Sequence, residues 1–371
     1  MAPVLAPAKV LVTGASGFIA VWVCQTLLDQ GYHVVGTGTY CLRVIDIVVS
    51  DGLLDIDVIN DSAVRSKSKG EYMQKLFEKA GHGEDRFSFV IVEDIEKPGA
   101  FDEAVVGVDA VEHTASPFHF NADDPNELIG PAVSGTVGVL ESIKKHAPGV
   151  KRVVITSSVA SVIHDKGESQ TFDETDWNVT SPKIVEEKGK DTPSVHKYRA
   201  SKVLAERAAW KFLEENKDSV AFDLVTICPP MIWGPILQEV KSSDALNTSI
   251  AGFYAHTKPG KTEQELLAPS GNFSDVRDVA LIHALALSNQ NAGGERFIVS
   301  SGPFTYQDAL DAIHKADPSL TDVPKGTPGK GKSVKGIVYL SAKAEATFGI
   351  KFKDIDEVAP ATFRALRERG F

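Results

Sequence analysis

The sequence predicts an α/β protein, a doubly wound parallel sheet with a smaller C-terminal lobe. Short apolar runs typical of buried strands alternate with amphipathic stretches along the first half of the chain, and a glycine-rich turn follows the first run. Strands that alternate with helices imply right-handed crossovers and a parallel sheet covered on both faces. The predicted strands are 9–13, 33–37, 87–93, 110–115, 152–157 and 222–227, and the predicted helices are 21–30, 101–106, 135–146, 198–216 and 279–288.

Each of these elements rests on a local pattern. K-V-L-V-T at 9–13 and H-V-V-G-T at 33–37 are buried-strand runs, and Gly31 ends the helix between them. Three more apolar runs follow with helical stretches between them, and the long helix 198–216 precedes the last strand, which Pro229 and Pro230 terminate. The segment 324–336 is rich in Gly, Pro and Lys but lacks interleaved aromatics, which favours a solvated connector over a nucleic-acid patch.

The composition excludes several classes of protein. The 371 residues include 39 Lys and Arg against 50 Asp and Glu, and this net charge of −11 argues against binding to a phosphate backbone. No stretch approaches the ~20 apolar residues of a membrane span, and the three cysteines form no C-x-x-C pair. The sequence runs into its first strand without a charged segment and a long apolar segment, so we expect no secretory signal. We therefore expect a cytoplasmic protein that binds neither nucleic acid nor membrane.

A phosphate-binding turn is predicted at 13–20, T-G-A-S-G-F-I-A. Gly14, Gly17 and Ala20 have G-x-x-G-x-x-A spacing, directly between a strand and a helix. Gly14 permits the tight turn, Gly17 lets the backbone approach a pyrophosphate, and Ala20 allows close packing of helix on strand. Three small residues could also form only a tight turn, but the flanking elements favour a Rossmann dinucleotide site.

The end of the second strand bears on the choice of cofactor. A site for NAD usually has an acid there, whereas a site for NADP has a cation nearby. The strand ends at Gly36 and Thr37 without an acid, while Arg65 and Lys69 at the next predicted helix start flank two serines. These groups suit a 2′-phosphate, so we expect NADPH. The alternative is a solvated basic helix end.

A catalytic pair is predicted at the start of the long helix, where Y-R-A-S-K places Tyr198 and Lys202 four residues apart on one face. An adjacent ammonium favours an ionised phenol, so we expect Lys202 to lower the pKa of Tyr198. The strand before the helix ends in Ser157 and Ser158, either of which could hydrogen-bond a substrate carbonyl.

At this point the sequence resembles a known family, the extended short-chain dehydrogenase/reductases, and within it the dihydroflavonol-reductase-like branch that includes fungal aldehyde and ketone reductases. Besides the glycine turn and Y-R-A-S-K, the resemblance rests on V-E-D-I at 92–95, H-T-A-S-P-F at 113–118 and I-T-S-S at 155–158. It extends to C-P-P-M-I-W-G-P at 228–235 and D-V-R-D-V-A at 275–280.

The resemblance implies roles for the matching residues. Ser158 would polarise a carbonyl, Tyr198 would donate the proton, and Lys202 would hold the nicotinamide ribose. The remaining cofactor contacts would be Gly14, Gly17, Phe18, Ile19, Asp94, Ile95, Thr114, Ala115, Ser116 and Pro229, and the substrate pocket would be walled by Phe118, Val195 and Met231. We expect an NADP-binding domain over 1–228 and a mainly substrate-binding lobe over 229–371, the two being interleaved.

Some positions depart from the family pattern. The family often has Asn where Ser134 and Cys228 stand, so we expect Ser134 to perturb the link behind the lysine and Cys228 to alter the nicotinamide loop. His113 and His119 are candidate metal ligands, but neither has a suitably spaced Asp, Glu or Cys partner. We expect no metal and, at His113, a structural hydrogen-bonded histidine.

Residues 38–63 fit none of these patterns. This stretch of 26 residues is rich in β-branched side chains, lacks a helical period and interrupts a connection that usually takes ~2–6 residues. Deleting it joins V-V-G-T directly to V-R-S and restores the family pattern. Codons compatible with splice sites exist at both borders, so our hypothesis is a retained intron, which a peptide from this stretch in the native protein would contradict. A genuine insertion beside the adenosine pocket is the alternative.

Together these features predict an NADPH-dependent reductase of a small aldehyde or ketone, monomeric or homodimeric. The alternatives are an NAD-linked alcohol dehydrogenase or epimerase of the same superfamily, and a non-catalytic redox-sensing regulator on the same fold. Epimerases need a site for a nucleotide diphosphate, and no such polar set is visible in the second half of the chain. Regulators of this kind usually lack the tyrosine–lysine pair.

Overall fold

The computed structural model describes residues 2–38, 58–116, 122–166 and 170–371, and for residues 58–66 it describes the backbone alone. The strands in chain order are β1 Lys9–Thr13, β2 His33–Gly38, β3 Phe87–Ile91, β4 Ala110–His113, β5 Arg152–Thr156, β6 Thr171–Phe172, β7 Asp223–Cys228, β8 Met231–Trp233, β9 Asn272–Asp275, β10 Arg296–Ile298, β11 Gly302–Pro303 and β12 Val338–Tyr339. The helices are α1 Phe18–Asp29, α2 Val58–Lys79, α3 Asn126–His146, α4 Thr180–Lys188, α5 Ser194–Asn216, α6 Thr248–His256, α7 Glu263–Leu267, α8 Val276–Ser288, α9 Tyr306–Ala316, α10 Ala342–Phe348 and α11 Ile355–Glu368.

The main sheet has seven strands in the order β10-β7-β5-β4-β1-β2-β3. Every pairing in it is parallel. The strand order reverses between β1 and β4, because β2 and β3 extend the sheet to one side and the later strands extend it to the other. In a doubly wound sheet, ligands bind outside the carboxyl ends of the strands at such a switch point.

Helices cover both faces of this sheet, as the alternation of apolar runs predicts. One core lies beneath α1, α2 and α8 and includes the buried Val10, Cys24, Phe77 and Ile282. The other lies beneath α3 and α5, which pack on each other, and includes Leu11. Val10 and Leu11 point to opposite faces because side chains alternate along a strand. The predicted doubly wound fold is confirmed.

The predicted helix 101–106 is wrong. The chain there forms turns, with the Val105 amide donating to the Phe101 carbonyl at 3.0 Å. Gly99 and Gly107 bracket the segment with φ of 77° and 70°, which leaves too few residues for a stable helix. Phe101 and Val105 are nevertheless buried, so the apolar residues whose spacing predicts a helix pack in the core from a turn instead.

The residues after 228 serve two parts of the fold. β10 and α8 complete the main sheet and one of its covering layers. Among the others, β8, β9 and β11 form a three-stranded sheet in the order β11-β9-β8, in which β9 pairs parallel with β8 and antiparallel with β11. Separately, β12 pairs with β6, which lies much earlier in the chain. The C-terminal part is therefore interleaved with the sheet domain.

Two features bear on the unusual segment 38–63. β2 extends to Gly38, which is paired with Ile91 of β3, and α2 begins at Val58, seven residues before the helix start predicted at Arg65. The last six residues of the segment are thus helical, contrary to the absence of a helical period in their sequence. The hypothesis of a retained intron otherwise falls on residues outside those described.

Candidate active site

The turn between β1 and α1 carries the glycines predicted to bind phosphate. Gly14 has a φ of 65°, and a Cβ there would lie 3.1 Å from the Cα of Ala115, so only glycine fits without strain. Gly17 precedes α1, whose first turn has neither a side-chain cap nor an acidic residue. The first amides of α1 are therefore available to an anion, and the helix dipole favours one there.

Thr13 ties this turn to the end of β4. Its hydroxyl oxygen accepts hydrogen bonds from the Thr114 and Ala115 amides, both at 3.1 Å, and lies 2.9 Å from Nδ1 of His113. His113 is buried, and burial together with the charge of Lys202 lowers its pKa to about 3. The expected structural, hydrogen-bonded histidine is thus present, and His119 lies outside the described residues. Within the described ranges no three His, Cys, Asp or Glu side chains are grouped to hold a metal.

The predicted catalytic side chains converge at the carboxyl ends of β5 and β7. The Tyr198 phenol is hydrogen-bonded to the Ser158 side chain. The Ser158 hydroxyl also accepts from the Ala160 amide at 3.1 Å and lies 3.4 Å from the Pro229 carbonyl, to which it donates. Lys202 Nζ donates to the Ser116 hydroxyl at 2.9 Å. One proton donor and one cation thus lie beside a serine that is held by backbone groups.

The expectation that Lys202 lowers the pKa of Tyr198 is wrong for this structure. Burial raises the Tyr198 pKa to about 12, and the hydrogen bond with Ser158 only partly opposes this. Burial also lowers the pKa of Lys202 to about 8. The ammonium lies 5.9 Å from the centre of the Tyr198 ring and is directed to Ser116. A phenol that keeps its proton is suited to donate it.

A cavity of about 570 Å³ joins the phosphate turn to these side chains. Such a volume lies within the usual range for a small-molecule site. The predicted residues that line it are Gly14, Gly17, Phe18, Ile19, Thr114, Ser116, Ser158, Val195, Tyr198, Lys202, Pro229 and Met231. The structure therefore brings most of the predicted cofactor, catalytic and substrate residues to one site.

The other predicted residues lie elsewhere or outside the described part. Ala115 backs Gly14, while Asp94 caps a turn by accepting the Glu96 amide and Ile95 packs against α3. Lys69 lines a separate small cavity with Ser16, Gly36 and Gly38, at the end of β2 where a ribose phosphate is expected. The Arg65 side chain and the whole of Phe118 fall outside the described residues.

Several cavity residues were missed by the sequence reasoning. Asn247, Thr248 and Ser249 at the start of α6 line it, as do Arg199 and Tyr339. The Asn247 Oδ1 atom is buried, and no partner for it is found among the described residues. The pairing of β12 with β6 places Tyr339 at the cavity, and the sequence carries no local signal for this long-range contact.

A buried carboxylate binds Ser157, the residue before the predicted catalytic serine. Glu206 Oε2 accepts from the Ser157 hydroxyl at 2.6 Å, and Oε1 pairs with Arg296 Nε at 2.7 Å. The Cys228 thiol, 3.9 Å from the same carboxylate, is buried, and burial raises its pKa. Cys228 therefore belongs to this cluster at the base of the loop that contains Pro229. The Glu206 cluster connects α5 to β5, β7 and β10.

The expectation for Ser134 is not supported. Ser134 is exposed on α3. Thr136, two residues on, is the α3 residue behind the lysine: it shares a small internal cavity with Lys202, and its hydroxyl lies 3.5 Å from Nε2 of His113. One helical turn advances 3.6 residues, so a shift of two positions moves a side chain to a different face of the helix.

A second buried pair reaches the cavity from the opposite face of the sheet. Glu112 and His283 are fully buried with 2.6 Å between Oε2 and Nδ1, and Nε2 of His283 lies 3.1 Å from the hydroxyl of Thr156, which lines the cavity. Burial raises the pKa of Glu112 to about 7. Its Oε1 atom has no hydrogen-bond partner within the described part of the chain.

The glycine turn, the parallel sheet and the Ser–Tyr–Lys set together form the kind of site found in oxidoreductases that use a dinucleotide cofactor. The chain belongs to the NAD dependent epimerase/dehydratase family, whose model matches residues 10–300. This agrees with the resemblance to the extended short-chain dehydrogenase/reductases.

Within the family, the chain is similar to several fungal enzymes. It is 37% identical over 361 residues to the ketoreductase azaE of Aspergillus niger, and this alignment covers 94% of each chain. It is 35% identical to the NADPH-dependent methylglyoxal reductase GRE2 of Saccharomyces cerevisiae, over 95% of this chain and 96% of that one. The crystal structure of this yeast methylglyoxal/isovaleraldehyde reductase complexed with NADPH superimposes with a TM-score of 0.80 over 98% of this chain and 99% of that one, at 34% identity.

Proposed function

We propose that the protein is an NADPH-dependent carbonyl reductase, which transfers a hydride to a small aldehyde or ketone and releases the alcohol. The observation that carries the proposal is the meeting of the glycine turn with Ser158, Tyr198 and Lys202 in one cavity. The similar ketoreductase and methylglyoxal reductase support it, the latter being named as NADPH-dependent.

The residues of the cavity suit the proposed cofactor. The uncapped start of α1 can take a pyrophosphate, and the close approach of Gly14 to Ala115 leaves no room for a side chain in the turn. Lys69 of α2, which lines the small cavity beside the end of β2, would hold the 2′-phosphate together with Arg65. The buried Asn247 oxygen offers an acceptor that the protein itself leaves unused among its described residues. NADPH, when bound, would supply the hydride.

Three side chains would perform the proton chemistry. Ser158 would hydrogen-bond the substrate carbonyl, because its hydroxyl is already fixed by the Ala160 amide. Tyr198 would donate its proton to the nascent alkoxide, and its raised pKa keeps that proton in place at neutral pH. Lys202 would bind the nicotinamide ribose.

The substrate would lie at the other end of the cavity. Val195, Met231 and Tyr339 line that end, and Phe118 would complete it. Such an apolar wall suits the alkyl or aryl part of a carbonyl compound. We further propose that the enzyme is cytoplasmic and acts as a monomer or homodimer. None of the described helices is long and apolar enough to cross a bilayer.

The test is NADPH oxidation, followed at 340 nm, against a panel of aldehydes, ketones and dihydroflavonols. We expect Tyr198→Phe to lower kcat by about 10²–10⁴-fold, the usual contribution of a positioned general acid, while NADPH still binds. Tyr72→Phe is the matched control, since that hydroxyl donates to the Leu237 carbonyl at 2.8 Å and lies outside the cavity. Full turnover by Tyr198→Phe would refute the mechanism. NADPH binding without turnover of any carbonyl would favour the redox-sensing regulator.

A further inference from the structure

One charged side chain in the cavity has no task in the chemistry proposed above. Arg199 follows Tyr198 on α5, is partly buried and lines the same cavity. Among the described residues that line it, Arg199 and Lys202 are the charged ones, and none is acidic. The cavity is thus locally positive in a chain whose net charge is −11. Charges of one sign in a cleft with apolar walls raise the local concentration of ligands of opposite sign.

The protein does not neutralise this guanidinium. Lys202 donates to Ser116, whereas no hydrogen bond or ion pair to Arg199 is found within the described part of the chain. Arginine presents several donors in a planar fork that matches a carboxylate or phosphate in two parallel hydrogen bonds. A partly buried fork without a partner is therefore a candidate for a ligand anion.

The position of Arg199 favours the substrate over the cofactor. Val195 and Arg199 are four residues apart, share a face of α5 and both line the cavity, and Val195 is 41% exposed. Arg199 is also close enough to Tyr339 for its charge to oppose the effect of burial on the pKa of that phenol. The phosphate turn of Gly14 and Gly17 belongs to the other part of the lining, next to α1.

We propose that Arg199 binds a carboxylate carried by the substrate, so that the preferred carbonyl compounds are oxo acids rather than their neutral analogues. This inference rests on the proposed carbonyl reductase activity. It makes Arg199 a specificity-determining residue: the carbonyl is held by Ser158 and Tyr198, and the carboxylate by the guanidinium beside them. The apolar wall at Val195 and Met231 would contact the carbon chain between the two groups.

The test compares each oxo acid with its methyl ester, which has nearly the same shape but no charge. 4-Oxopentanoate, 5-oxohexanoate and their methyl esters are assayed with saturating NADPH at pH 7. We expect the wild type to favour the acids in kcat/KM, and Arg199→Met to lower the acid-to-ester ratio about 10–100-fold, mainly through KM for the acids. Arg199→Lys keeps the charge without the fork, so we expect an intermediate ratio.

Arg207→Met is the matched control. Arg207 lies two turns further along α5, with its guanidinium 5.2 Å from the centre of the Trp177 ring and outside the cavity, so its loss should leave the ratio unchanged. A ratio in Arg199→Met within twofold of wild type for both pairs would overturn the inference, as would a wild-type preference for both esters. Failure of the wild type to oxidise NADPH with any carbonyl would instead overturn the proposed function itself.

Discussion

The pKa of Lys202 predicts how activity depends on pH. Burial lowers this pKa from an ordinary value of 10.5 to about 8 in the cofactor-free protein. A group with that pKa is about 90% protonated at pH 7 and about 10% protonated at pH 9. If catalysis needs the ammonium, the rate should fall about tenfold between these two values. The Tyr198 phenol, with a pKa of about 12, and the His113 imidazole, at about 3, titrate outside this window.

The assay is the initial rate with NADPH and the carbonyl compound both well below their KM values, so that it reports groups of the free enzyme. Rates are measured from pH 6 to 10. In Lys202→Arg the guanidinium stays charged throughout, so the variant should be slower overall but should lose the alkaline decline. Lys197→Arg is the control, because the buried Lys197 ammonium donates to the Ala122 carbonyl away from the cavity and its replacement should leave the decline in place.

Two results would refute this reasoning. A wild-type rate that stays constant up to pH 9.5 would mean that the lysine charge is not needed, or that its pKa is not lowered. A decline of the same shape in Lys202→Arg would assign the titration to another group. Circular dichroism at each pH ensures that the loss of rate is not a loss of fold.

Three further predictions concern binding and stability. Gly14→Val should weaken NADPH binding at least about tenfold in a fluorescence titration, because φ is 65° and the turn has no room for a side chain. Gly149→Ala is the control, since a Cβ there meets nothing within 4 Å, and it should leave NADPH binding unchanged. Between pH 4.5 and about 7 the folded Glu112 carboxyl, whose pKa is raised, holds a proton that the unfolded chain has released, so the wild type loses stability as the pH rises. Glu112→Gln has no such proton and should therefore become more stable than the wild type over this range, by up to about 3 kcal/mol in urea unfolding. Equal pH dependence in both proteins would contradict this. Gly293→Ala should lower the free energy of unfolding by about 3–5 kcal/mol, since a Cβ there would clash with Oδ2 of Asp223 and disrupt its buried ion pair with Arg152, in which Oδ1 lies 2.6 Å from Nε; a loss below 1 kcal/mol would show that the pair can shift.

The fold and most of the site were predictable because their signals are local. The glycine spacing at 14–20 indicates a turn that must approach a neighbouring strand. The i,i+4 spacing of Tyr198 and Lys202 indicates that both lie on one helix face. Each signal lies within a few residues of the element that it specifies. This is why the doubly wound sheet and the convergence of Ser158 with the tyrosine could be predicted from sequence.

What could not be predicted depends on tertiary surroundings. Apolar spacing at 101–106 is compatible with a helix or a buried turn, and only the flanking positive-φ glycines decide between them. The direction of the Tyr198 pKa shift depends on burial, which spacing alone does not give. The partners of Glu206 come from β5, β7 and β10, and the partner of Glu112 comes from α8, at separations that no local pattern encodes.

The pairing of β12 with β6 has a consequence for the order in which the protein is made. All residues predicted to bind the cofactor precede position 230, whereas Tyr339, which lines the same cavity, is synthesised roughly a hundred residues later. Domains generally fold as units, and β10 and α8, which complete the sheet domain, also follow position 230. The phosphate turn therefore cannot be stabilised by the complete sheet until most of the chain has been synthesised. The cavity gains its full lining only once the growing chain includes β12.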